Sequence, residues 1–483
     1  MVRSGRSIAG SLSSSNGVPL HAVACALLAA GALAGCAKLT AAPSGRNANT
    51  HAAAAPANAD TAPIVDSCRS IYPEATQGLK PLARTPAPPP ARPDPAKPAK
   101  GTVYRDADDS CAVRVTQHDA EPPKNFARND YSRRQPFNAD DTKLLVYASG
   151  GGWHLYDANT LAYYKELDGP GGDAEIQWDP VDPNILYYMP TNGGMYIYRL
   201  DIRTNRATTV ADFNGKLPWP TAARLWTKSE GSPSRDNRYW ALLAETEDFK
   251  MLGFLVYDLV AQRVVSTYTT SSMPDHVSMT PSGRWFTSSG DGTWAWSPDF
   301  SQKKKLHHSS EHSDIAIGPN GHDYYVSIDF QTSYGDVFFV DIDTCPAVPA
   351  DADGKTTPEC PRTVLFPTYN SGSHASFHFS GKAYDKPGWV LVSTYGTVPS
   401  RDGVWPWFTN RMFALELTAS PRAFALGHHR STGDSYWSEP HPATNRDFTR
   451  IVFNSNWGAD ANAKDDVDDY MIVLPPGAIP GTP

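Results

Sequence analysis

The 483-residue sequence has little charge, few cysteines and no helical patterning of useful length. Charged residues make up 19% of the chain and the net charge is −8, with no basic run among aromatics. This composition argues against nucleic acid as a partner. The sequence has no CxxC pair or Cys/His zinc spacing, and no GxSxG elbow. Thiolate metal sites and serine hydrolases are therefore disfavoured, and the missing helical period disfavours a two-domain α/β enzyme.

One long apolar run is present, at residues 18–35, and it follows the positive charges of Arg3 and Arg6. The run is short, is interrupted by His21, and ends in the letters LAGC, where the bacterial lipobox places its lipidated cysteine. We expect residues 1–36 to be a lipoprotein signal peptide with Cys36 as the lipidated residue. The protein would then be an outer-membrane or periplasmic lipoprotein of the bacterial cell envelope. An ordinary secretory signal with an incidental cysteine is the alternative.

Residues 37–101 are rich in alanine and proline, and such segments bury too little apolar surface to fold alone. We interpret them as a tether between the membrane and a domain at 102–483. Once Cys25 and Cys36 are set aside, four cysteines remain, an even number that suits an oxidising compartment. Two pairings are expected: Cys345 with Cys360 around one polar loop, and Cys68 with Cys111, which would staple the N-terminal segment to the domain.

A repeat of about 40 to 65 residues dominates the rest of the chain, a period typical of propellers. Each unit has a polar turn, an apolar strand, a loop and an aromatic-rich strand. The turns lie at 138–141, 179–182, 234–237, 280–283, 318–321, 378–381 and 445–448. Six units supply a further outer strand, and CAVRVTQ (111–117) can supply the seventh. We therefore predict an all-β, seven-bladed β-propeller, closed by an N-terminal strand that completes the last blade.

An ionisable residue stands four positions before each turn, where the inner strands would open on one mouth of the channel. The seven are Arg134, Glu175, Glu230, His276, Asp314, His374 and His441. Glu439 and His312 each lie two residues before a ring position and so on the same side of an extended segment. Imidazole and carboxylate together suit ions such as Zn²⁺ or Mn²⁺, and a histidine is also a natural base. One alternative is that the histidines have only a structural role. Another is that Arg134, rather than a metal ion, neutralises the carboxylates of the ring.

Long loops on the same face carry Trp405 and Trp407, whose rings suit a sugar ligand, although packing against the rim is an equal alternative. We expect the substrate-binding residues to be Glu175, Glu230, His312, Trp405 and Trp407.

Three segments resemble one known family, the oligogalacturonate lyases. NDYSRRQPFNADDTKLLVYAS (129–149) is similar to the family's first blade, SHASFHFSG (373–381) to its Ser-His pattern before a turn, and EPHPATNRDFTRIVFNSN (439–456) to its last blade. The resemblance implies a seven-bladed propeller that cleaves uronate oligosaccharides by β-elimination.

The same resemblance implies roles for individual residues. His276 falls on the family's base, and Asp314, Glu439 and His441 fall on its manganese ligands, so that carboxylates replace two histidines. His374 joins this metal set from the ring, and the ion would be Mn²⁺, or Zn²⁺ or Ca²⁺. The family's arginine on the third blade has no counterpart, so Arg134 takes the catalytic role, with Arg224 as the alternative.

The resulting prediction is a lipid-anchored, monomeric lyase that acts on uronate oligosaccharides by metal-assisted β-elimination. The alternative is a non-catalytic, TolB-like envelope propeller that binds a glycan or a protein in its funnel.

Overall fold

The structure is a computed structural model that describes residues 63–72, 79–90, 96–123, 126–148, 150–369, 372–459 and 466–481. The predicted signal peptide and Cys36 lie outside these residues. Within the described ranges, no helix has the length and apolar character needed to cross a bilayer.

Strands are the main regular secondary structure of the described residues, and they are numbered here in chain order. A short helix α1 (Ile64–Arg69) precedes them, and a 3₁₀ turn (Tyr436–Ser438) interrupts them. The strands are β1 (Val103–Arg105), β2 (Cys111–Arg114), β3 (Ala127–Arg128), β4 (Lys143–Ala148), β5 (Gly152–Asp157), β6 (Tyr163–Glu166), β7 (Gln177–Trp178), β8 (Ile185–Tyr188), β9 (Tyr196–Asp201), β10 (Arg206–Asp212), β11 (Arg224–Trp226), β12 (Tyr239–Glu245), β13 (Met251–Asp258), β14 (Arg263–Thr269), β15 (His276–Met279), β16 (Phe286–Gly290), β17 (Gly292–Trp296), β18 (Gln302–His307), β19 (Ser313–Ile317), β20 (Asp323–Asp329), β21 (Asp336–Asp341), β22 (Val348–Pro349), β23 (Thr363–Pro367), β24 (His374–Ser380), β25 (Trp389–Val398), β26 (Arg411–Glu416), β27 (Ala423–His428), β28 (Ala443–Thr444), β29 (Arg450–Ser455) and β30 (Asp468–Val473).

These strands form seven antiparallel sheets of four or five strands, so the protein is a seven-bladed β-propeller, as predicted. The blades, from inner to outer strand, are β3-β4-β5-β6, β7-β8-β9-β10, β11-β12-β13-β14, β15-β16-β17-β18-β22, β19-β20-β21-β23, β24-β25-β26-β27 and β28-β29-β30-β2-β1. They are called blades 1 to 7 below.

An N-terminal strand completes blade 7. Strand β2 pairs with β30 in antiparallel register, with Cys111 opposite Val473 and Arg114 opposite Tyr470. Strand β1 then adds a fifth strand beyond β2. The prediction from CAVRVTQ is confirmed, and the ring closes by pairing the two ends of the domain.

The core consists of seven apolar clusters, and each lies between two neighbouring blades. Strands such as YWALLAE of β12 are buried on both faces, because each blade is packed between two others. The cluster between blades 7 and 1 includes Val113, Val146 and Met471, so the junction of the two chain ends is packed like the other six.

Both predicted disulfides are present, Cys68–Cys111 and Cys345–Cys360. The first ties α1 to the start of β2. The loop closed by the second contains β22, which pairs with the outer strand β18 of the preceding blade.

Part of the predicted tether lies against blade 6. The backbone N–H of Leu82 donates to the carbonyl of Ala423, and that of Ala425 donates to Lys80, so this segment adds to the outer edge of β27. The Arg84 guanidinium lies 5.5 Å from the centre of the Trp407 ring. The segment covers a sheet edge that would otherwise be exposed.

The predicted turn of blade 6 at 378–381 is wrong. Strand β24 continues to Ser380, and the turn follows it, before β25 starts at Trp389. The phrase HFSG resembles a turn but is paired in the sheet, with His378 opposite Ser393. Strand β24 therefore extends further along the chain than predicted. This shift places His378, rather than His374, in the channel.

Candidate metal and acid–base site

Three histidines and one glutamate from blades 5, 6 and 7 meet in the channel. The Nε2 atom of His441 lies 3.1 Å from Oε2 of Glu439, and Nε2 of His378 lies 3.3 Å from the same oxygen. His378 packs against His441 with ring centroids 4.5 Å apart and stacks on His312 at 4.7 Å. These four residues, His312, His378, Glu439 and His441, are called the histidine cluster below.

Neighbouring groups orient the imidazoles. His312 donates from Nδ1 to the carbonyl of Phe377 at 2.7 Å, which leaves its Nε2 as an acceptor. Arg128 donates to Nδ1 of His441 at 3.0 Å, so the remaining proton of this neutral ring is on Nε2, toward Glu439. A cation can bind Nε2 only after the ring proton has moved to Nδ1. The hydrogen bond from Arg128 to Nδ1 must therefore break before His441 binds a cation through Nε2.

The backbone at His441 is strained. Its φ is 36°, in the left-handed region, although the flanking residues Pro440 and Pro442 favour an extended chain. Such a conformation costs roughly 1–3 kcal/mol and persists only where surrounding contacts hold it. Here Asn129 donates to the His441 carbonyl at 2.8 Å. The surrounding structure thus fixes the position of this side chain.

Burial keeps the cluster's imidazoles neutral. It lowers the pKa of His312, His378 and His441 to about 4 each, with nearby positive or histidine groups adding to the effect. Burial alone would raise the pKa of Glu439, but its contacts with His378 and His441 outweigh this and hold the pKa well below its usual range. At neutral pH the cluster is therefore one carboxylate among neutral nitrogen ligands.

This donor set fits a divalent cation. Nδ1 of His378 has no hydrogen-bond partner, although the residue is only 1% exposed, and Nε2 has only the 3.3 Å contact with Glu439. A buried polar atom without a partner is costly and indicates a missing ligand or water. One ligand atom each from His378, Glu439 and His441 lies within 4.8 Å of the others. Imidazole and carboxylate ligands of this kind suit manganese or zinc.

A second group of residues adjoins the histidine cluster and centres on His276. Arg133 donates from Nη1 to Glu230 at 2.6 Å and lies 2.9 Å from Nε2 of His276. Asp275 lies 3.5 Å from Nδ1 of the same imidazole. Burial and the Arg133 charge lower the pKa of His276, so the ring is a neutral base at pH 7. The bond to His276 lowers the pKa of Asp275 to about 2.

Tyr131 joins the two groups. Its ring lies 4.8 Å from that of His441 and 5.5 Å from the Arg133 guanidinium. Arg133 also donates to the carbonyl of Ser313, next to His312. A cavity of about 20 Å³, enough for about one water, lies beside Arg133 and His276.

The predicted ring does not converge as a whole. Glu230, His276 and His441 lie in the site, together with the flanking residues Glu439 and His312. Glu175 instead accepts bonds from the backbone of Thr227 and Ser229 at 2.8 and 2.6 Å.

Asp314 lines the small cavity, but its oxygens accept from Lys382 at 3.1 Å and from the backbone of Gly381 at 2.7 Å. Arg134 lies 3.4 Å from Asp130, and His374 is exposed at the start of β24.

The two predicted tryptophans lie on the rim. Trp407 packs against Phe366 and Phe413, with centroids 5.0 and 5.2 Å away, and Arg84 covers its face. Trp405 is half-buried nearby in the chain. The aromatic rings that contact the histidine cluster are instead those of Tyr131, Tyr395 and Tyr436.

Four charged or ligating residues of this site were not predicted from the sequence: Arg128, Arg133, Asp275 and His378. Arg133 neighbours the predicted Arg134, and His378 lies four residues after the predicted His374. In both cases the residue that lies in the site is shifted in register from the predicted residue within the same segment. Arg128 had no signal of its own, because it precedes the segment that carries the turn pattern.

Comparison with solved structures supports the fold. An oligogalacturonate lyase in complex with manganese is 15% identical, with a TM-score of 0.53, and the match covers 78% of this chain and 96% of that one. An oligogalacturonate lyase from Vibrio parahaemolyticus is 14% identical, with a TM-score of 0.52 and coverage of 78% and 99%. No protein-family model and no curated protein sequence matches the chain. At this identity the likeness shows a shared seven-bladed propeller fold.

Proposed function

We propose that the protein is a lyase that cleaves uronate-containing oligosaccharides by β-elimination. The observation that carries the proposal is the juxtaposition of a neutral, buried His276 with the histidine cluster, joined through Arg133 and Tyr131. A base and a cation site side by side are what removal of a proton next to a carboxylate needs. The manganese bound by one structural neighbour is consistent with this proposal.

His312, His378, Glu439 and His441 would hold the cation. A divalent cation bound there would neutralise the uronate C6 carboxylate and so acidify the adjacent C5 proton. The single negative charge of the cluster leaves a bound divalent ion with a net positive charge, which favours an anionic substrate.

His276 would take the C5 proton at Nε2. Asp275 and Glu230 lie 3.5 and 3.8 Å from Nδ1 and favour the tautomer with the proton on that atom. Nη1 of Arg133 contacts both ring nitrogens, at 2.9 Å for Nε2 and 3.1 Å for Nδ1, and a uronate carboxylate is a competing acceptor for the same guanidinium. We therefore assign to Arg133, rather than to Arg134, the contacts with the substrate carboxylate and with the base His276. The glycosidic oxygen then leaves as the double bond forms.

We further propose that the mature protein is anchored in the bacterial envelope through lipid on Cys36 and acts as a monomer. Its two disulfides are consistent with an oxidising compartment. Metabolic labelling with a radioactive fatty acid tests the anchor. We expect label in the wild type and none in Cys36→Ser, whereas equal labelling of both would contradict it.

Turnover tests the activity. Purified protein with Mn²⁺ should release products with the ultraviolet absorbance of unsaturated uronates from pectic, alginate, ulvan or glucuronan oligosaccharides. His276→Ala should reduce kcat by about 10²- to 10⁴-fold, the usual contribution of a general base. His322→Ala, a half-exposed histidine on blade 5, serves as the control and should keep full activity.

Absence of absorbance on all four substrates would contradict the lyase proposal. Binding of one of these glycans without turnover would instead favour a glycan-binding propeller.

A further inference from the structure

Another group of histidines and carboxylates lies between blades 4 and 5, at the end of the outer strand β18. His307 is the last residue of β18, and His308 follows it. Asp329 ends β20, and Glu359 precedes Cys360 in the disulfide loop. Three segments that are distant in sequence thus place four ligand-type side chains together, and the proposed lyase chemistry uses none of them.

The distances are close to those between two ligands of one ion. Nδ1 of His308 lies 3.0 Å from Oε1 of Glu359, a hydrogen bond that a bound ion would replace. Two atoms that share a tetrahedral zinc ion lie roughly 3.3 Å apart, given bond lengths of about 2.0 to 2.2 Å. One ligand atom of His307 lies within 4.8 Å of both groups.

His307 supplies an independent reason to expect a ligand. It is 0% exposed, yet neither of its ring nitrogens makes a hydrogen bond. Oδ2 of Asp329 lies 3.5 Å from Nε2, longer than the 2.7 to 3.2 Å usual for a hydrogen bond of this kind. Burial also lowers the pKa of this imidazole, so it is a neutral ligand at pH 7.

Asp329 is held firmly beside both imidazoles. Arg362 donates to its Oδ2 at 2.6 Å, and the backbone of Gln331 donates to Oδ1 at 2.9 Å. Its oxygens lie 3.5 Å from Nε2 of His307 and 3.8 Å from Nε2 of His308. Metal-binding histidines donate their other ring N–H to a carboxylate, and Asp329 lies close enough to both imidazoles to take that role when an ion is bound.

We propose that His307, His308 and Glu359 bind a divalent transition metal of the zinc class, with Asp329 as the orienting carboxylate and water as the fourth ligand. The ion can enter from solvent, because the side chains of His308 and Glu359 are 38% and 34% exposed. It would tie the end of β18 to the loop closed by Cys345 and Cys360. The site is therefore structural, and binding there stabilises the junction of blades 4 and 5.

Zinc binding to purified full-length protein tests the proposal. A Glu439→Gln, His378→Gln background removes two of the three cluster residues whose ligand atoms lie within 4.8 Å of one another, so that the ion counted belongs to the site at His307, His308 and Glu359. Equilibrium dialysis against Zn²⁺ should give one ion per chain in this background. The further change His308→Ala with Glu359→Gln should abolish that ion.

His322→Ala is the matched control, since His322 also lies 3.0 Å from a carboxylate, that of Asp341. It should leave the bound ion in place. Unchanged zinc binding in the His308→Ala, Glu359→Gln protein would overturn the proposal, as would equal loss in the His322→Ala control.

Thermal unfolding gives a second readout that is independent of lyase activity. In EDTA the background protein and its His308→Ala, Glu359→Gln derivative should have similar Tm values, because both altered side chains are partly exposed. Addition of Zn²⁺ should raise the Tm of the first and not of the second. Equal responses of the two proteins would overturn the proposal, whether or not the protein cleaves any uronate.

Discussion

Two of the carboxylates predicted for the channel, Glu175 and Asp314, differ from Glu439 in what their oxygens contact. Glu175 accepts from backbone N–H groups of Thr227 and Ser229, and Asp314 is paired with the buried Lys382. Glu439 instead contacts imidazoles that are neutral at pH 7. Fixed donors and a lysine satisfy a carboxylate and make it structural. Neutral imidazoles leave the charge of Glu439 available to a cation.

The largest effect on stability is expected when a carboxylate with a buried cationic partner is removed. Asp314→Ala leaves the Lys382 ammonium buried without its partner, so we expect a loss of about 3–5 kcal/mol in the free energy of unfolding. Chemical denaturation measures it. Glu247→Ala, whose side chain is 89% exposed, is the control and should change stability by less than about 0.5 kcal/mol. Similar stabilities of the two variants would show that Asp314 is not structural.

At the histidine cluster we expect a loss of metal affinity with little loss of stability. Glu439→Gln removes the charge but keeps the shape, so Mn²⁺ affinity should fall by at least about 100-fold while the free energy of unfolding changes by about 1 kcal/mol. Titration calorimetry and denaturation measure the two quantities. Glu175→Gln is the matched control and should keep Mn²⁺ binding but lose about 1–3 kcal/mol of stability. Loss of Mn²⁺ binding in Glu175→Gln, together with retained Mn²⁺ binding and lower stability in Glu439→Gln, would contradict this contrast.

Acid should destabilise the protein through the histidine cluster. Histidine has a pKa of about 6.5 in an unfolded chain, against about 4 for His312, His378 and His441 in the folded protein. Between these values the unfolded chain binds more protons. The stability is therefore fully present above about pH 6.5 and is lost as the pH falls toward 4.

Each histidine can contribute up to about 1.4 kcal/mol per pH unit in this window. Denaturation at several pH values without metal measures the slope, and His378→Gln should reduce it. A free energy of unfolding that stays constant from about pH 7 to about pH 5 would contradict the assignment.

The smallest effect is expected at the rim. Arg84→Ala removes the cation over Trp407 and should cost about 0.5–1 kcal/mol, with no change in Mn²⁺ binding. Denaturation and calorimetry measure both. A large loss of Mn²⁺ binding would show that Trp407 and its neighbours belong to the site after all.

The repeat made the fold predictable, because alternation and turn chemistry recur in every blade. The missing outer strand of the last unit identified Cys111–Arg114 as the strand that closes the ring. The polar loop between Cys345 and Cys360 likewise indicated one disulfide, and the two remaining cysteines of the domain the other.

The site was less predictable because it depends on register and on partners. A turn assigned too early in blade 6 selected His374 instead of His378, and choosing Arg134 instead of Arg133 moved the predicted cation from His276 to Asp130. Nor does the sequence show that Lys382 pairs with Asp314, since the two residues come from different blades. A position in the ring predicts proximity to the channel, and the partners from neighbouring blades decide the role.

The most direct test of the account is a crystal of the protein soaked in Mn²⁺ and measured at a wavelength where manganese scatters anomalously. We expect an anomalous peak at bonding distance from Glu439 and from nitrogens of the surrounding histidines, with the bond from Arg128 to His441 released. A structure with no peak there, and with the contact between Arg128 and His441 intact at saturating Mn²⁺, would contradict the claim that this cluster is a cation site.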